Sequence, residues 1–142
     1  GPRLLEFNVR LGDPEAQAIL PRLAQGEFLR LCLATARGEL EDFCLAIDPR
    51  PSCAVVLAAD GYPESSGRGE PLELDPELVT AQRWFIHAGT TAAGGALRAS
   101  GGRVGAIVAQ GATAQAAREH AYAGLEHVRF AQMQYRTDIG AS

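Results

Sequence analysis

The opening segment of the chain carries the pattern that most restricts its fold. Polar and apolar side chains alternate from Leu5 to Arg10, a period of two that is typical of a strand with one buried face. Successive side chains of a strand point to opposite faces. The apolar face would hold Leu5, Phe7 and Val9, and the polar face would hold Glu6, Asn8 and Arg10. The segment is therefore predicted to pack one face on a core and to present the other.

This strand is predicted to end near Gly12 and to lead into a helix. Asp13 is expected to be the N-cap of that helix, with Pro14 as its first residue. The helix would run toward Gly26, with a kink or break at Pro21. Because a helix start presents unpaired backbone N–H groups and a positive dipole, it is also a natural site for an anion.

A second helix is predicted between Phe28 and Gly38. Its apolar positions recur at helical spacing and comprise Phe28, Leu31, Cys32, Thr35 and Ala36. Gly38 is a suitable residue for the C-terminal end. The sequence Asp-Pro-Arg-Pro at 48–51 then predicts a rigid, extended connector. We therefore expect two units, residues 1–45 and residues 46–142.

Short apolar runs predict strands in the second unit, at 53–59 and 84–87, with a turn at 60–63 after the first. The runs 97–99 and 103–109 flank Gly101 and Gly102 and predict a hairpin. The run Gly101-Gly102-Arg103 could also form a turn that contacts a phosphate group, and both interpretations remain open.

A last helix is predicted to begin at Thr113. Its narrow apolar stripe comprises Ala117, Ala121, Gly124, Leu125 and Val128. The tail over 130–139 would add a final strand or wrap around the domain. The expected fold class is therefore α+β, a mostly antiparallel sheet with helices packed on one side, preceded by a strand-helix-helix segment.

Composition excludes some functions. The formal net charge of -4 and the pI near 5.3 argue against a nucleic-acid partner. All 13 basic residues are arginines, so no lysine is available to hold a phosphate or to form a Schiff base. No apolar run approaches the length of a membrane span, and a signal peptide is not evident, so we expect a cytoplasmic protein with no membrane partner. Cys32, Cys44 and Cys53 are expected to be buried in a reducing compartment.

The polar face of the opening segment suits chemistry on a nucleotide bound with a divalent metal. Carboxylate and amide oxygens such as those of Glu6 and Asn8 are hard ligands for Mg²⁺. The Arg10 guanidinium could neutralise a phosphoryl group during its transfer. The alternative is an amphipathic edge strand with a solvated face, followed by an ordinary capped helix.

A family resemblance begins in the run from Glu6 to Gln17, EFNVRLGDPEAQ. It continues in order through LAADGYP at 57–63, FIHAGT at 85–90, GGRV at 101–104, REHAY at 118–122 and YRTDIG at 135–140. These motifs resemble the phosphoribosylamine–glycine ligases, also called glycinamide ribonucleotide synthetases. They match the end of the ATP-grasp domain (residues 1–45) and the small C-terminal domain (residues 46–142).

The resemblance implies an ATP-dependent ligase of purine biosynthesis. In that family ATP phosphorylates the glycine carboxylate, and the amine of 5-phosphoribosylamine attacks the resulting glycyl phosphate. By resemblance, Glu6 and Asn8 would hold Mg²⁺ (or Mn²⁺) under the ATP phosphates, and Arg10 would be the catalytic residue beside the reacting phosphoryl group. Asp13 and Glu15 would face the acceptor substrate.

The family's enzymes are about three times longer than this chain, and they include an N-terminal domain and two ATP-grasp lobes. We therefore expect the chain to be inactive alone and to need those portions as partners. The alternative is a non-catalytic interaction or scaffold domain derived from the ligase. Apolar residues are expected to be exposed where the other portions would pack, with self-association as a consequence. The candidates are Leu4, Leu5, Phe28 and Leu31.

Overall fold

A computed structural model describes residues 1–7, 9–66 and 69–141. Its α-helices are Glu15–Ile19 (α1), Glu27–Arg37 (α2) and Ala114–Ala123 (α3), and short 3-10 turns lie at Leu20–Arg22, Pro76–Leu78 and Gly124–His127. The strands are Ser52–Ala58 (β1), Glu70–Pro71 (β2), Glu73–Leu74 (β3), Arg83–His87 (β4), Thr90–Ala93 (β5), Ala96–Ala99 (β6), Arg103–Gln110 (β7) and Val128–Arg129 (β8). The expected α+β class, with mostly antiparallel pairing, is confirmed.

The central sheet has the strand order β1-β7-β4 and is antiparallel throughout. Val55 lies opposite Ile107, and both are fully buried. Alternate residues of β1, Cys53, Val55 and Leu57, belong to the main hydrophobic core together with residues of α3. The strand predicted at 53–59 and the burial of Cys53 are therefore confirmed, because a period of two leaves one face of the strand for the core.

Helix α3 covers the core face of this sheet. The Thr113 hydroxyl oxygen accepts a hydrogen bond from the Ala116 N–H at 3.1 Å, as expected of an N-cap. Ala117 and Ala121 have no exposed surface, so the predicted stripe of small residues faces the sheet. The helix ends at Ala123, and Val128 of the predicted stripe instead lies in β8, which pairs with β3.

The second sheet has the order β2-β6-β5. Its hairpin joins β5 to β6 through Gly94 and Gly95, whose φ angles of 60° and 79° suit a tight turn between antiparallel strands. The hairpin predicted between 97–99 and 103–109 is wrong, because β6 and β7 belong to different sheets. Gly101 lies instead where the chain passes from one sheet to the other.

The predicted strand of the opening segment is absent from the described residues 1–7 and 9–11. Leu5 and Val9 are each 94% exposed, and Phe7 is 78% exposed. A strand is stable only when its backbone groups pair with a neighbour, and no described strand of this chain pairs with the segment.

Helix α1 begins at Glu15 and is shorter than predicted, because the chain passes into a 3-10 turn that contains Pro21. The prediction that Asp13 is its N-cap is wrong: Pro14 takes the capping position, and no side chain makes a capping hydrogen bond there. The helix lies on the sheet face opposite α3, where the Ser52 hydroxyl donates to the Ala18 carbonyl at 2.6 Å.

Helix α2 ends at Arg37, and Gly38 is its C-cap, as predicted. Gly38 takes the left-handed conformation, with a φ of 73°. Its buried residues are Glu27 and Ala34, whereas Phe28 and Cys32 of the predicted apolar face are exposed. The difference arises because the following loop packs on the Glu27 side, where the Ala46 N–H donates to the Glu27 carboxylate at 2.9 Å. That hydrogen bond also lowers the pKa of Glu27.

Two of the three predictions for the cysteines are wrong. Cys32 and Cys44 are exposed, because both lie in the part of the chain that does not contribute to the main core. None of the described helices is long and apolar enough to cross a membrane.

Candidate functional site

A cleft of about 440 Å³ opens on the face of β1 that does not carry the main core. Its floor is formed by Ala54, Val56 and Ala58, which alternate along β1 with the buried residues. These side chains are short, so the volume above them is left empty. We call this volume the β1 cleft.

One wall of the β1 cleft is the turn that carries Tyr62. The Tyr62 ring lies against Gly102, where an added Cβ would come within 2.7 Å of Cδ2 of the ring. The Gly102 carbonyl accepts a hydrogen bond from the Ala59 N–H at 2.8 Å, which fixes the two turns against each other. Glycine at 102 is therefore required by the close approach of an aromatic ring.

The opposite wall is the tail of the chain, which wraps rather than forming a further long strand. Gln134 exchanges two backbone hydrogen bonds with Ala58, at 2.8 and 2.9 Å. The Tyr122 hydroxyl of α3 donates to the Arg136 carbonyl at 2.6 Å and accepts from the Ile139 N–H at 3.1 Å. The tail is thereby held to both the sheet and the helix.

Two arginines bring positive charge to the cleft. Arg136 forms a bidentate pair with Asp138, at 2.9 and 2.6 Å, and this pair lowers the pKa of the Asp138 carboxyl. Arg103 pairs with the Asp13 carboxylate at 2.9 Å. Each guanidinium has more N–H groups than these contacts use, so both retain donors for a bound group.

The Arg103 contact connects the cleft with the opening segment. Asp13 and Pro14 follow directly on that segment, and Pro14 lines the cleft. The second carboxylate oxygen of Asp13 accepts a hydrogen bond from the Gln17 side chain at 2.7 Å. Of the five predicted site residues, Asp13 is the one that the described contacts join to the cleft.

The other predicted site residues lie apart from the cleft or outside the described residues. Glu6 is exposed and has no hydrogen-bond partner among the described residues. Arg10 donates to the carbonyl of its neighbour Leu11 at 3.4 Å. Glu15 accepts a hydrogen bond from the Gly12 N–H, three residues earlier, at 3.3 Å. Asn8 lies outside the described residues.

A second cluster of possible metal ligands lies at the other side of the domain. Asp75, Glu77 and His127 bring ligand atoms within 4.8 Å of one another. The Asp75 carboxylate already accepts the Glu77 N–H at 2.8 Å, as the N-cap of a 3-10 turn. A structural role therefore accounts for this cluster.

The sequence pattern assigns no site role to Tyr62 or Arg136, although each belongs to a motif that carries the family resemblance. For Arg103 it offers one role, as part of a glycine turn that contacts a phosphate group, and a hairpin turn explains the same glycines. Only the pairing of the strands brings the three side chains together.

Comparison with known proteins defines the class to which this fold and cleft belong. Residues 52–142 match the family described as phosphoribosylglycinamide synthetase, C domain. The match covers more than half of the chain, and the chain belongs to this family.

Individual relatives extend the likeness to the opening segment. The chain is 43% identical over 150 residues to the phosphoribosylamine–glycine ligase of Leifsonia xyli, covering 99% of this chain and 34% of that protein. It is 42% identical over 139 residues to a bifunctional purine biosynthetic protein of Schizosaccharomyces pombe, covering 98% of this chain and 17% of that protein. The crystal structure of phosphoribosylamine–glycine ligase from Thermotoga maritima matches 97% of this chain and 33% of its own, with 34% identity and a TM-score of 0.79. The chain thus spans about a third or less of these relatives.

Proposed function

We propose that this chain supplies the C-terminal portion of a phosphoribosylamine–glycine ligase. The observation that supports this most strongly is the match to the Thermotoga maritima ligase, which covers 97% of the chain at a TM-score of 0.79. The match includes the opening segment as well as the C domain. In this proposal residues 1–45 are the last segment of the ATP-grasp domain and residues 46–142 are the C-terminal domain.

The reaction would join glycine to 5-phosphoribosylamine. ATP transfers a phosphoryl group to the glycine carboxylate, which gives glycyl phosphate and ADP. The amine then attacks the glycyl carbonyl, phosphate leaves, and glycinamide ribonucleotide forms. In this scheme Arg10 neutralises the transferring phosphoryl group, and Asp13 and Glu15 belong to the acceptor side.

Mg²⁺ (or Mn²⁺) would bind with ATP at Glu6 and Asn8. An exposed carboxylate with no partner among the described residues fits a hard cation, and an amide oxygen is a ligand of the same kind. When bound, the cation supplies charge neutralisation for the phosphates. Glu6 alone cannot enclose a nucleotide, because a binding site needs convergent walls. We therefore propose that the chain is inactive without the ATP-grasp lobes.

A chimera tests the assignment. The matching third of the Thermotoga maritima ligase is replaced by this chain, and ADP release is measured with glycine and 5-phosphoribosylamine. The proposal expects release that requires both substrates and Mg²⁺, and no release by the 142-residue chain alone. An inactive chimera that is folded and binds ATP would contradict the ligase assignment and favour a scaffold role.

Glu6→Gln in the active chimera tests the metal assignment. Because the amide removes the charge but keeps the shape, we expect the turnover rate to fall roughly a hundredfold, as when one group that stabilises transition-state charge is lost. Raised Mg²⁺ should restore part of the rate. Glu64→Gln, at an exposed turn, is the matched control and should leave the rate unchanged. Equal rates for both variants would exclude Glu6 from the metal site.

A further inference from the structure

Arg103 is held in place by the crossing of two backbone segments. It is the first residue of β7, and its carbonyl accepts the Gly89 N–H at 2.8 Å. The Gly89 carbonyl accepts the N–H groups of Ser100 and Gly101, at 2.8 and 3.1 Å. A Cβ added to Gly89 would lie 2.5 Å from the Gly101 Cα, so the two segments can approach this closely only as glycines. The backbone that carries Arg103 is therefore rigidly placed.

The strand register directs the Arg103 side chain toward the β1 cleft. Leu57 lies opposite Gly105, but Ala58 lies opposite Arg103, so a β-bulge places Val104 as the extra residue. Val104 is fully buried. Arg103 shares a face with its partner Ala58, on the floor of the cleft. The bulge thus allows Val104 to enter the core while Arg103 faces the cleft.

From this position the guanidinium contacts two atoms of a residue 90 positions earlier. Its Nη2 pairs with the Asp13 carboxylate at 2.9 Å, and its Nη1 donates to the Asp13 carbonyl at 3.3 Å. The planar fork of arginine makes both contacts at once, from two different nitrogens held in a fixed geometry. Asp13 is therefore fixed through its backbone as well as its side chain.

The Asp13 carboxylate can still bind a ligand. One of its oxygens forms an ion pair with Arg103 and the other accepts a hydrogen bond from Gln17, and a carboxylate oxygen has room for about two hydrogen bonds. The side chain is 52% exposed. Pro14, the next residue, lines the cleft. An amine or hydroxyl group in the cleft can therefore donate to Asp13.

We propose that Arg103 is a positioning residue, which fixes Asp13 beside the β1 cleft so that its carboxylate can accept a hydrogen bond from the amine-bearing acceptor substrate. This inference rests on the proposed ligase function. It assigns to the C domain the task of placing a residue of the preceding segment. An ion pair formed merely by neighbouring surface charges would not need the glycine crossing or the contact with the backbone carbonyl.

The first test uses the 142-residue chain and needs no catalysis. Arg103→Met removes the guanidinium and keeps a similar length, and we expect the Ala16 amide, which donates to the Gly12 carbonyl, to exchange its hydrogen about tenfold faster. Arg98→Met is the matched control, since Arg98 also lies on a strand and donates to a distant carbonyl, that of Gly69 at 2.9 Å. Arg103→Lys is a second variant in case the first unfolds. If the Ala16 amide exchanges its hydrogen at the same rate in the Arg103 and Arg98 variants, Arg103 does not fix Asp13 in place.

The second test measures kinetics in the active chimera. Arg103→Met should raise KM for 5-phosphoribosylamine about tenfold, with KM for ATP unchanged, because misplacing one contact lowers binding of that substrate alone. Asp13→Asn should have a similar effect, and the double variant should be no worse than the worse single variant. The proposal would be overturned if the effects of the two single variants multiplied in the double variant. It would also be overturned if KM for ATP rose as much as KM for 5-phosphoribosylamine. An inactive chimera would contradict the ligase function, whereas the exchange experiment would still decide whether Arg103 fixes Asp13.

Discussion

Asp48 and Arg50, in the connector before β1, form a charged pair in which each side chain shifts the pKa of the other. The Arg50 guanidinium contacts both carboxylate oxygens of Asp48, at distances between 2.5 and 3.0 Å. These hydrogen bonds, with that of the Arg50 N–H, lower the pKa of Asp48 from 3.8 to about 2. The Asp48 carbonyl also accepts two hydrogen bonds from Arg22, so the connector is held to the 3-10 turn at Leu20–Arg22.

Asp48→Asn should destabilise the chain at neutral pH and have no effect in strong acid. The folded state holds Asp48 ionised, so its contribution to stability is present above the ordinary pKa of 3.8 and is lost as the pH falls toward 2. Urea unfolding midpoints at pH 7, 4 and 2 would measure the difference between variant and parent.

Asp42→Asn is the matched control for this measurement. Asp42 is exposed and has no hydrogen-bond or ion-pair partner among the described residues. Its substitution should leave the unfolding midpoint unchanged at every pH. A difference between Asp48→Asn and the parent that is as large at pH 2 as at pH 7 would contradict the ionic explanation.

Elements whose limits are set by local chemistry could be predicted from the sequence. The end of α2 at Gly38, the cap of α3 at Thr113 and the buried strand β1 follow from residue preferences and periodicity. The pairing of β6 could not be predicted, because a glycine pair between two apolar runs is equally consistent with a hairpin and with a crossing between sheets. The absence of the opening strand could not be predicted either. A strand forms only beside a neighbouring strand, and the period of two does not reveal whether this chain supplies one.

Gly101→Ala tests whether the crossing requires glycine. Its Cβ would lie 2.8 Å from the Gly89 Cα, and hydrogen bonds hold the backbone of both residues in place. We expect unfolding free energy to fall by about 1–3 kcal/mol, the usual cost of overpacking. Denaturant titration would measure the loss, and the Ala16 amide should exchange faster in the same variant.

Gly95→Ala provides the comparison, since it has open space around its Cβ but a φ of 79°. This substitution should lower the free energy of unfolding only through its strained φ angle, by about 1–2 kcal/mol. The rate of hydrogen exchange at the Ala16 amide should not change. If Gly101→Ala leaves both stability and the Ala16 exchange rate unaltered, the crossing is not a constraint.

At the scale of the whole molecule, the distribution of exposed apolar side chains is uneven. The opening segment and α2 carry most of them. The set comprises Leu4, Leu5, Phe7, Val9, Leu11, Phe28, Leu29 and Leu33. The expectation for Leu4, Leu5 and Phe28 is confirmed, whereas Leu31 is partly buried. Exposed apolar side chains in such numbers are typical of surfaces that pack against another protein or another domain.

Phe28→Asp should weaken association with the other two thirds of a phosphoribosylamine–glycine ligase, the partner expected from the proposed function. The remaining two thirds of the Thermotoga maritima ligase, expressed separately, would be mixed with this chain and the complex measured by sedimentation. Phe28 is 53% exposed on α2, and association would bury this position. A charge placed there should therefore weaken association at least about tenfold. Val79→Asp, at a site 60% exposed in the C domain, is the control and should assemble like the parent. Equal weakening by both variants would contradict this location for the interface.

The tail wall of the β1 cleft and the connector before β1 respond to acid in the same direction. The Asp48 carboxylate of the connector and the Asp138 carboxylate of the tail are each paired with an arginine that lowers their pKa. Both pairs therefore lose an ionised partner as the pH falls below the ordinary range of an aspartate. The hydrogen bonds that the Tyr122 hydroxyl makes with backbone groups of the tail involve no carboxylate. Acid thus weakens the connector and the tail together, rather than one before the other.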